Sequence, residues 1–330
     1  MIELKNIYKD YNIIERKRGL KGIFKDIFSP NYKIINAIDN INLTILNNER
    51  IGIVGKNGSG KSTLIKILTG TLQPSRGEVL YNHKNINSIS KNYKSIIGTF
   101  WGQRFQLSND LALQESFEFL RFVYKVDRQK FETRLNYLVE RFDLKEFLRI
   151  PLRELSLGQR VICEIAAIFL HSPKIIFLDE PTIGLDLEIK ENFYDTIQDV
   201  CSNENIILIL ASHTVRDIEK LAKRIIVMSN GKNIVDYPIN DFLKNFIENK
   251  KITIIFKSQP QKWFKDSLRN SVQLLSEGKN LVDFLVPVTT SWEEILSLIE
   301  DSSNIYDIKI AEEDFDDILL NIYKKQKKIS

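Results

Sequence analysis

The chain has 330 residues, 43% hydrophobic and 27% charged, with a formal net charge of +4, a composition ordinary for a globular protein and a length sufficient for two domains. The charge is mild and spread along the chain, so nucleic acid is not an expected partner. No apolar run approaches the roughly 18 residues of a membrane helix, the start Met1-Ile2-Glu3-Leu4-Lys5 lacks the pattern of a secretory leader, and Cys163 and Cys201 are too few for a disulfide framework.

In chain order, Ile2, Leu4 and Ile7 alternate as a first strand that reaches Tyr8 and Tyr11. An insertion over 12–36 follows, where Leu20, Ile23, Phe24, Ile27 and Phe28 fall on one helical face behind the basic run Arg16-Lys17-Arg18. Such a basic, one-sided helix suits a membrane surface or the underside of a membrane protein, and equally a helix packed on its own domain. Strands are expected over 37–46 and 50–54. The second runs into Gly55-Lys56-Asn57-Gly58-Ser59-Gly60-Lys61-Ser62-Thr63, a G-x-x-x-x-G-K-[ST] loop followed by a helix to Leu68. Glycines at these positions let successive backbone N–H groups turn around a phosphate, the helix N-terminus faces the same anion, Lys61 reaches the β- and γ-phosphates, and the Ser62 hydroxyl suits Mg²⁺. The pattern predicts a nucleoside triphosphate site.

Residues 105–165 read as a helical subdomain rich in Phe and Tyr. Strands at 174–178, 206–211 and 225–228 then alternate with helices, as a mostly parallel sheet requires. Beyond residue 249 the pattern predicts a small α+β domain in β-α-β-α-β-α order: strands at 252–256, 281–286 and 306–310, helices around 263–275, 292–300 and 315–323. The expected division is 1–248 and 249–330.

The strand Ile175-Ile176-Phe177-Leu178 ends in Asp179-Glu180, the acidic pair that a phosphate-loop ATPase sets opposite its loop. Asp179 is expected to hold Mg²⁺ through water and Glu180 to polarise the attacking water. With Leu155-Ser156-Leu157-Gly158-Gln159 heading an apolar helix, the chain resembles the ATP-binding cassette (ABC) family over residues 1–249. The resemblance implies an α/β phosphate-loop NTPase fold: a RecA-like core, an antiparallel β-subdomain and an α-helical subdomain. It also implies ATP with Mg²⁺ as cofactors and a head-to-tail homodimer or paired cassette subunit. Ser156, Gly158 and Gln159 would then face the ATP held by the partner's loop. Gly184-Leu185-Asp186 is similar to the family's D-loop, and His213 to its switch histidine. Gln103 is the expected glutamine that contacts Mg²⁺ and water, with Gln106 as the alternative; Tyr11, or less well Tyr8, is placed to stack on adenine. Leu157 departs from the family's glycine at that position.

The 12–36 insertion is similar to that of polysaccharide and drug exporters, and 100–107 with 114–118 resembles a bacterial efflux group, as does the tail 311–319. The implied function is the ATPase subunit of a bacterial efflux transporter, peripheral on the cytoplasmic face of the plasma membrane and bound to integral membrane permease subunits. An importer ATPase, or a soluble cassette ATPase uncoupled from transport, is the alternative.

Overall fold

The computed structural model describes residues 1–14, 32–102, 104–259, 272–299, 302–312 and 315–329. The chain forms two compact units, Met1–Ile239 and Asn240–Ser330.

The centre of the first unit is a six-stranded sheet in the order β10-β9-β3-β8-β7-β6. Its strands are β3 (Arg50–Gly55), β6 (Ile97–Trp101), β7 (Ile175–Asp179), β8 (Ile207–Ala211), β9 (Arg224–Ser229) and β10 (Lys232–Pro238). All neighbours are parallel except β10, which turns back on β9. Every residue of β8 and the first four of β7 are buried. Strands covered on both faces have no solvent side, and this is why they read as continuous apolar runs. Helix α1 (Lys61–Leu68) lays Leu64, Ile65, Ile67 and Leu68 against Ile51, Ile53, Phe177 and Ile209 of this sheet. Each such side chain contributes about 2 kcal/mol by leaving water.

A second, antiparallel sheet has the order β2-β1-β4-β5, from β1 (Ile2–Ile14), β2 (Tyr32–Ile45), β4 (Arg76–Tyr81) and β5 (Lys84–Asn85). Here Ile38, Ile41, Leu43 and Ile45 are buried while the residues between them are not, the alternation of a sheet wet on one face. Both ends of the expected 12–36 insertion belong to this sheet: Asn12 pairs with Ile34, Ile13 with Lys33 and Ile14 with Tyr32. Cross-strand pairing carries the strands past the point where alternation fades. The predicted helix over 20–28 lies outside the described residues.

The helical part contains α2 (Ser90–Lys94), α3 (Leu113–Tyr124), α4 (Arg128–Arg141) and α5 (Leu157–Phe169), with a short 3-10 turn at Leu152–Glu154. The Asp127 carboxylate accepts the N–H groups of Gln129 and Lys130, which starts α4. Two further helices, α6 (Leu187–Asn203) and α7 (Val215–Leu221), connect the later strands. Cys163 and Cys201 are free and buried.

The second unit takes in all but the first residue of α8 (Ile239–Phe246), ahead of the expected boundary at 248. Phe242 of this helix lies 5.1 Å, ring to ring, from Phe315 of α10 (Phe315–Ile329). Its sheet has the order β12-β13-β11-β14, antiparallel throughout, from β11 (Asn249–Phe256), β12 (Gln273–Glu277), β13 (Leu281–Pro287) and β14 (Ile305–Glu312). Ile252, Ile254, Phe256, Val282, Phe284 and Val286 share one face with Ile295 of α9 (Trp292–Leu298). The expected helix over 263–275 is corrected where it is described: residues 273–275 are strand, with Gln273 paired to Leu285 and Leu274 to Phe284. Pairing to an existing strand overrides the local pattern there.

Candidate functional site

The glycine-rich loop joins β3 to α1 at the carboxyl end of the parallel sheet, where open α/β sheets take ligands. Gly58 and Gly60 have φ of 81° and 107°, a region that side chains disfavour. At Gly60 a Cβ would also stand 2.6 Å from the Ala37 carbonyl oxygen. Gly55 is closed in likewise, its would-be Cβ 2.4 Å from Ser59 Oγ. Asn57 is exposed at the crest of the loop, and Ser59 N donates to the Lys56 carbonyl at 3.0 Å. The buried Ser59 hydroxyl has no partner among the described residues. Lys61 is 6% exposed, and its ammonium donates to the Gly55 carbonyl at 2.6 Å. Burial pulls its pKa down, while Glu180 and then Asp179 oppose that pull. No acidic side chain occupies the first turn of α1, where Ser62 and Thr63 sit, so that positive helix end is open to an anion.

Asp179 ends β7 in line with this loop. Burial pushes its carboxyl pKa up, the Ser62 hydroxyl donates to it and pulls the other way, Glu180 raises it and Lys61 lowers it. One carboxylate oxygen, Oδ1, is buried and without a partner among the described residues. An orphaned carboxylate oxygen beside a serine hydroxyl fits a hard divalent cation whose remaining ligands are phosphate and water oxygens. Glu180 follows with φ of 53°, pinned by its N–H to the Ala211 carbonyl at 2.8 Å. Its Oε2 meets His213 Nδ1 at 2.7 Å and the His213 N–H at 3.3 Å. Lys61, Ser62, Asp179, Glu180 and His213, drawn from a stretch of more than 150 residues, thus share one site.

Ser156, Gly158, Gln159 and Asp186 form a separate group. Ser156 caps α5: its Oγ accepts Gln159 N–H at 3.3 Å, and Gln159 Oε1 accepts Ser156 N–H at 2.9 Å. Asp186 caps α6 by accepting Ile189 N–H at 2.9 Å. Gly158 is packed on α6, so that a Cβ there would meet Ile189 Cδ1 at 2.4 Å. Leu157 rests on Gly184, whose would-be Cβ lies 2.8 Å from Leu157 Cδ2. Among the described residues no hydrogen bond or ion pair joins this group to the Lys61 site.

Tyr11 pairs across the ribbon with Ile35 and is 36% exposed, with the Lys9 ammonium 5.5 Å from its ring. The Tyr8 ring is covered by the Arg76 guanidinium at 4.1 Å. Gln103 lies outside the described residues. Gln106 donates its side-chain amide to the Thr99 carbonyl at 2.7 Å and its N–H to Glu164 at 3.0 Å.

Residues 38–183 match the family profile described as ABC transporter. The chain is 28% identical over 207 residues to the ABC transporter ATP-binding protein NatA of Bacillus subtilis, covering 63% of this chain and 84% of that protein. It is 29% identical over 230 residues to the methionine import ATP-binding protein MetN 2 of Oceanobacillus iheyensis, covering 69% and 67%. Its fold matches the dimeric structure of an ATP-binding cassette in a post-hydrolysis state bound to ADP and Pi, with a TM-score of 0.60, 26% identity and coverage of 72% of this chain and 99% of that one. The chain carries an ABC transporter ATP-binding domain.

The cassette binds and hydrolyses ATP. The matched span takes in the loop, Ser156 to Gln159, Asp179 and Glu180, and stops short of Asp186 and His213. Two polar groups of the cassette escape sequence reasoning. Glu164 is buried on α5 and accepts the N–H groups of Gln106 and Leu107 at 3.0 and 2.9 Å. Asp217 is fully buried on α7 among the hydroxyls of Thr182, Tyr194 and Ser212. A charged residue inside an apolar helix is a signal that marks Glu164 without naming its partner, whereas Asp217 stands beside Arg216, Glu219 and Lys220 and carries no such signal.

Proposed function

We propose that this cassette is the ATPase subunit of a bacterial transporter, that it pairs head-to-tail with a second copy, and that it drives separately encoded membrane permeases in the direction of export. The convergence of Lys61, Ser62, Asp179, Glu180 and His213 at the carboxyl end of the sheet carries the reading. Ser62 and Asp179 would hold Mg²⁺, which supplies charge neutralisation to the β- and γ-phosphates. Lys61 adds a point charge, the loop amides hold the phosphates, and Glu180, oriented by His213, takes the proton of the attacking water. The signature helix stands with Ser156 and Leu157 exposed, free to meet the ATP of another copy. That the similar cassette is a dimer supports this pairing. Among the described residues no helix is long and apolar enough to cross a membrane, which accords with a subunit held at the cytoplasmic face by its permease.

Export is supported by the resemblance of the 12–36 insertion and the 311–319 tail to efflux ATPases. Import is the second reading, favoured by the relative named for methionine import. Disrupting the gene in its host separates the two. Export expects greater retention of a fluorescent efflux probe such as ethidium, and a shift of the chain out of the membrane fraction when its permease subunits are removed. Unchanged retention with slowed uptake of labelled methionine would overturn export.

A further inference from the structure

Asp217 touches neither the glycine-rich loop nor Glu180, yet it is the most completely hydrogen-bonded carboxylate near the site. Its Oδ1 accepts from Tyr194 Oη at 2.6 Å, its Oδ2 from Ser212 Oγ at 2.7 Å, and Thr182 Oγ1 lies 2.8 Å from both. It is 0% exposed, and three hydroxyl donors replace the water that a buried carboxylate loses. Ser212 stands between this carboxylate and the reacting groups. Its Oγ is 3.4 Å from Glu180 Oε2, against 2.7 Å from Asp217, and it accepts the Thr214 N–H at 2.9 Å.

A serine hydroxyl has one proton. We infer that Asp217 is a positioning residue for ATP hydrolysis: it holds the Ser212 proton and so leaves Glu180 Oε2 to His213. With that proton directed at Asp217, Glu180 Oε2 keeps its 2.7 Å contact with His213 Nδ1 and its longer one with the His213 N–H. Without it, the Ser212 hydroxyl is free to turn to the same Oε2, 3.4 Å away. The inference rests on the reading of Glu180 as the base.

The isosteric change Asp217→Asn tests it. An asparagine that keeps its oxygen toward Tyr194 turns its NH₂ toward Ser212, which then accepts from that amide and donates to Glu180. In the full chain, steady-state hydrolysis and the affinity for a fluorescent ATP analogue are measured together. Asp217→Asn is expected to lower kcat about tenfold, with ATP affinity held within about twofold, the split that marks loss at the chemical step. The double variant Ser212→Ala with Asp217→Asn has no hydroxyl proton to divert, and its kcat should recover to within about threefold of Ser212→Ala alone. Tyr194→Phe removes a donor to Oδ1, the carboxylate oxygen that Ser212 does not use. It is expected to lower Tm while leaving kcat within about twofold, which separates network stability from turnover. A wild-type kcat in Asp217→Asn, or a double variant as slow as Asp217→Asn, overturns the inference. Should Asp217→Asn fail to fold, Ser212→Ala decides the matter alone: kcat within about threefold of wild type is expected, and a loss as deep as that of Glu180→Gln shows that Ser212 itself serves Glu180. The readings separate, because Glu180→Gln tests the base whereas the paired serine and aspartate variants test the withheld proton.

Discussion

At the scale of single residues the phosphate loop was legible, because phosphate binding leaves little choice of side chain. Gly58 and Gly60 need left-handed backbone, Lys61 needs charge at a fixed reach, and Ser62 needs a hydroxyl at the helix start. Asp217 and Glu164 were not legible, since each is satisfied by groups brought in from other elements. His171 shows the same kind of partnering with a consequence for pH. Its Nε2 bonds the Ile97 carbonyl at 2.9 Å, its ring stacks on Tyr124 at 3.9 Å, and its buried Nδ1 has no partner among the described residues. A second proton would go onto that partnerless nitrogen, and burial accordingly pulls the pKa down from 6.5 to about 4. The folded value lies below the unfolded one, so the unfolded chain binds the extra proton first. The stability this residue contributes is therefore complete above pH 6.5 and lost as pH falls toward about 4. Its share of that loss is up to about 3 kcal/mol. In urea unfolding, His171→Phe, which keeps a ring against Tyr124, is expected to flatten the acid side of the stability profile; an unchanged acid slope would assign that slope to other groups.

At the scale of elements, buried strands declared themselves as apolar runs, and helices by their apolar stripe. What escaped was structure made by pairing. Strand β12 has Leu274 and Leu275 both exposed, without the alternation of a half-buried strand. Its bonds to β13 hold it, with Ser276 Oγ donating to Asp283 at 2.9 Å on the outward face. The β1 and β4 pair depends on another such feature. Register shifts between Lys5 and Tyr8 of β1, and Gly77 of β4 sits against that bulge with φ of 87°. A Cβ there would lie 2.1 Å from the Asn6 carbonyl oxygen and 2.4 Å from that of Lys5, both backbone atoms that cannot swing aside. Gly77→Ala is expected to cost about 2 kcal/mol or more, combining a disfavoured φ with displaced backbone. A urea midpoint equal to wild type would show that the bulge relaxes freely. Because Gly77 lies outside the groups that meet ATP, folded protein should still bind the nucleotide.

At the scale of the whole molecule, the two groups of site residues stand apart, which accords with the proposed pairing with a second chain. Lys61, Asp179 and Glu180 stand together, while Ser156 and its neighbours are organised around their own helix caps and leave the Lys61 site untouched. The proposed head-to-tail pair brings one group to the other. Glu180→Gln, slowed at least about 10²-fold as expected for loss of a general base, should hold ATP long enough to elute as a dimer in light scattering when ATP and Mg²⁺ are present. Adding Ser156→Arg, a bulky charge at the exposed start of α5, should return it to a monomer. A dimer that persists in the double variant would place the contact elsewhere.

The sequence by itself determined that this chain handles a nucleoside triphosphate, that its core is a mostly parallel sheet, and which residues are chemically suited to the phosphates, the cation and the water. Those are matters of residue type at fixed spacing along one stretch of chain. Tertiary structure alone decided which of them meet. It set His213 on Glu180, turned Gln106 toward Thr99 and Glu164, and enclosed Asp217 among three hydroxyls. Each of these contacts joins segments far apart in the chain or on different elements, and their energy exists only once the sheet has brought the ends of its strands together.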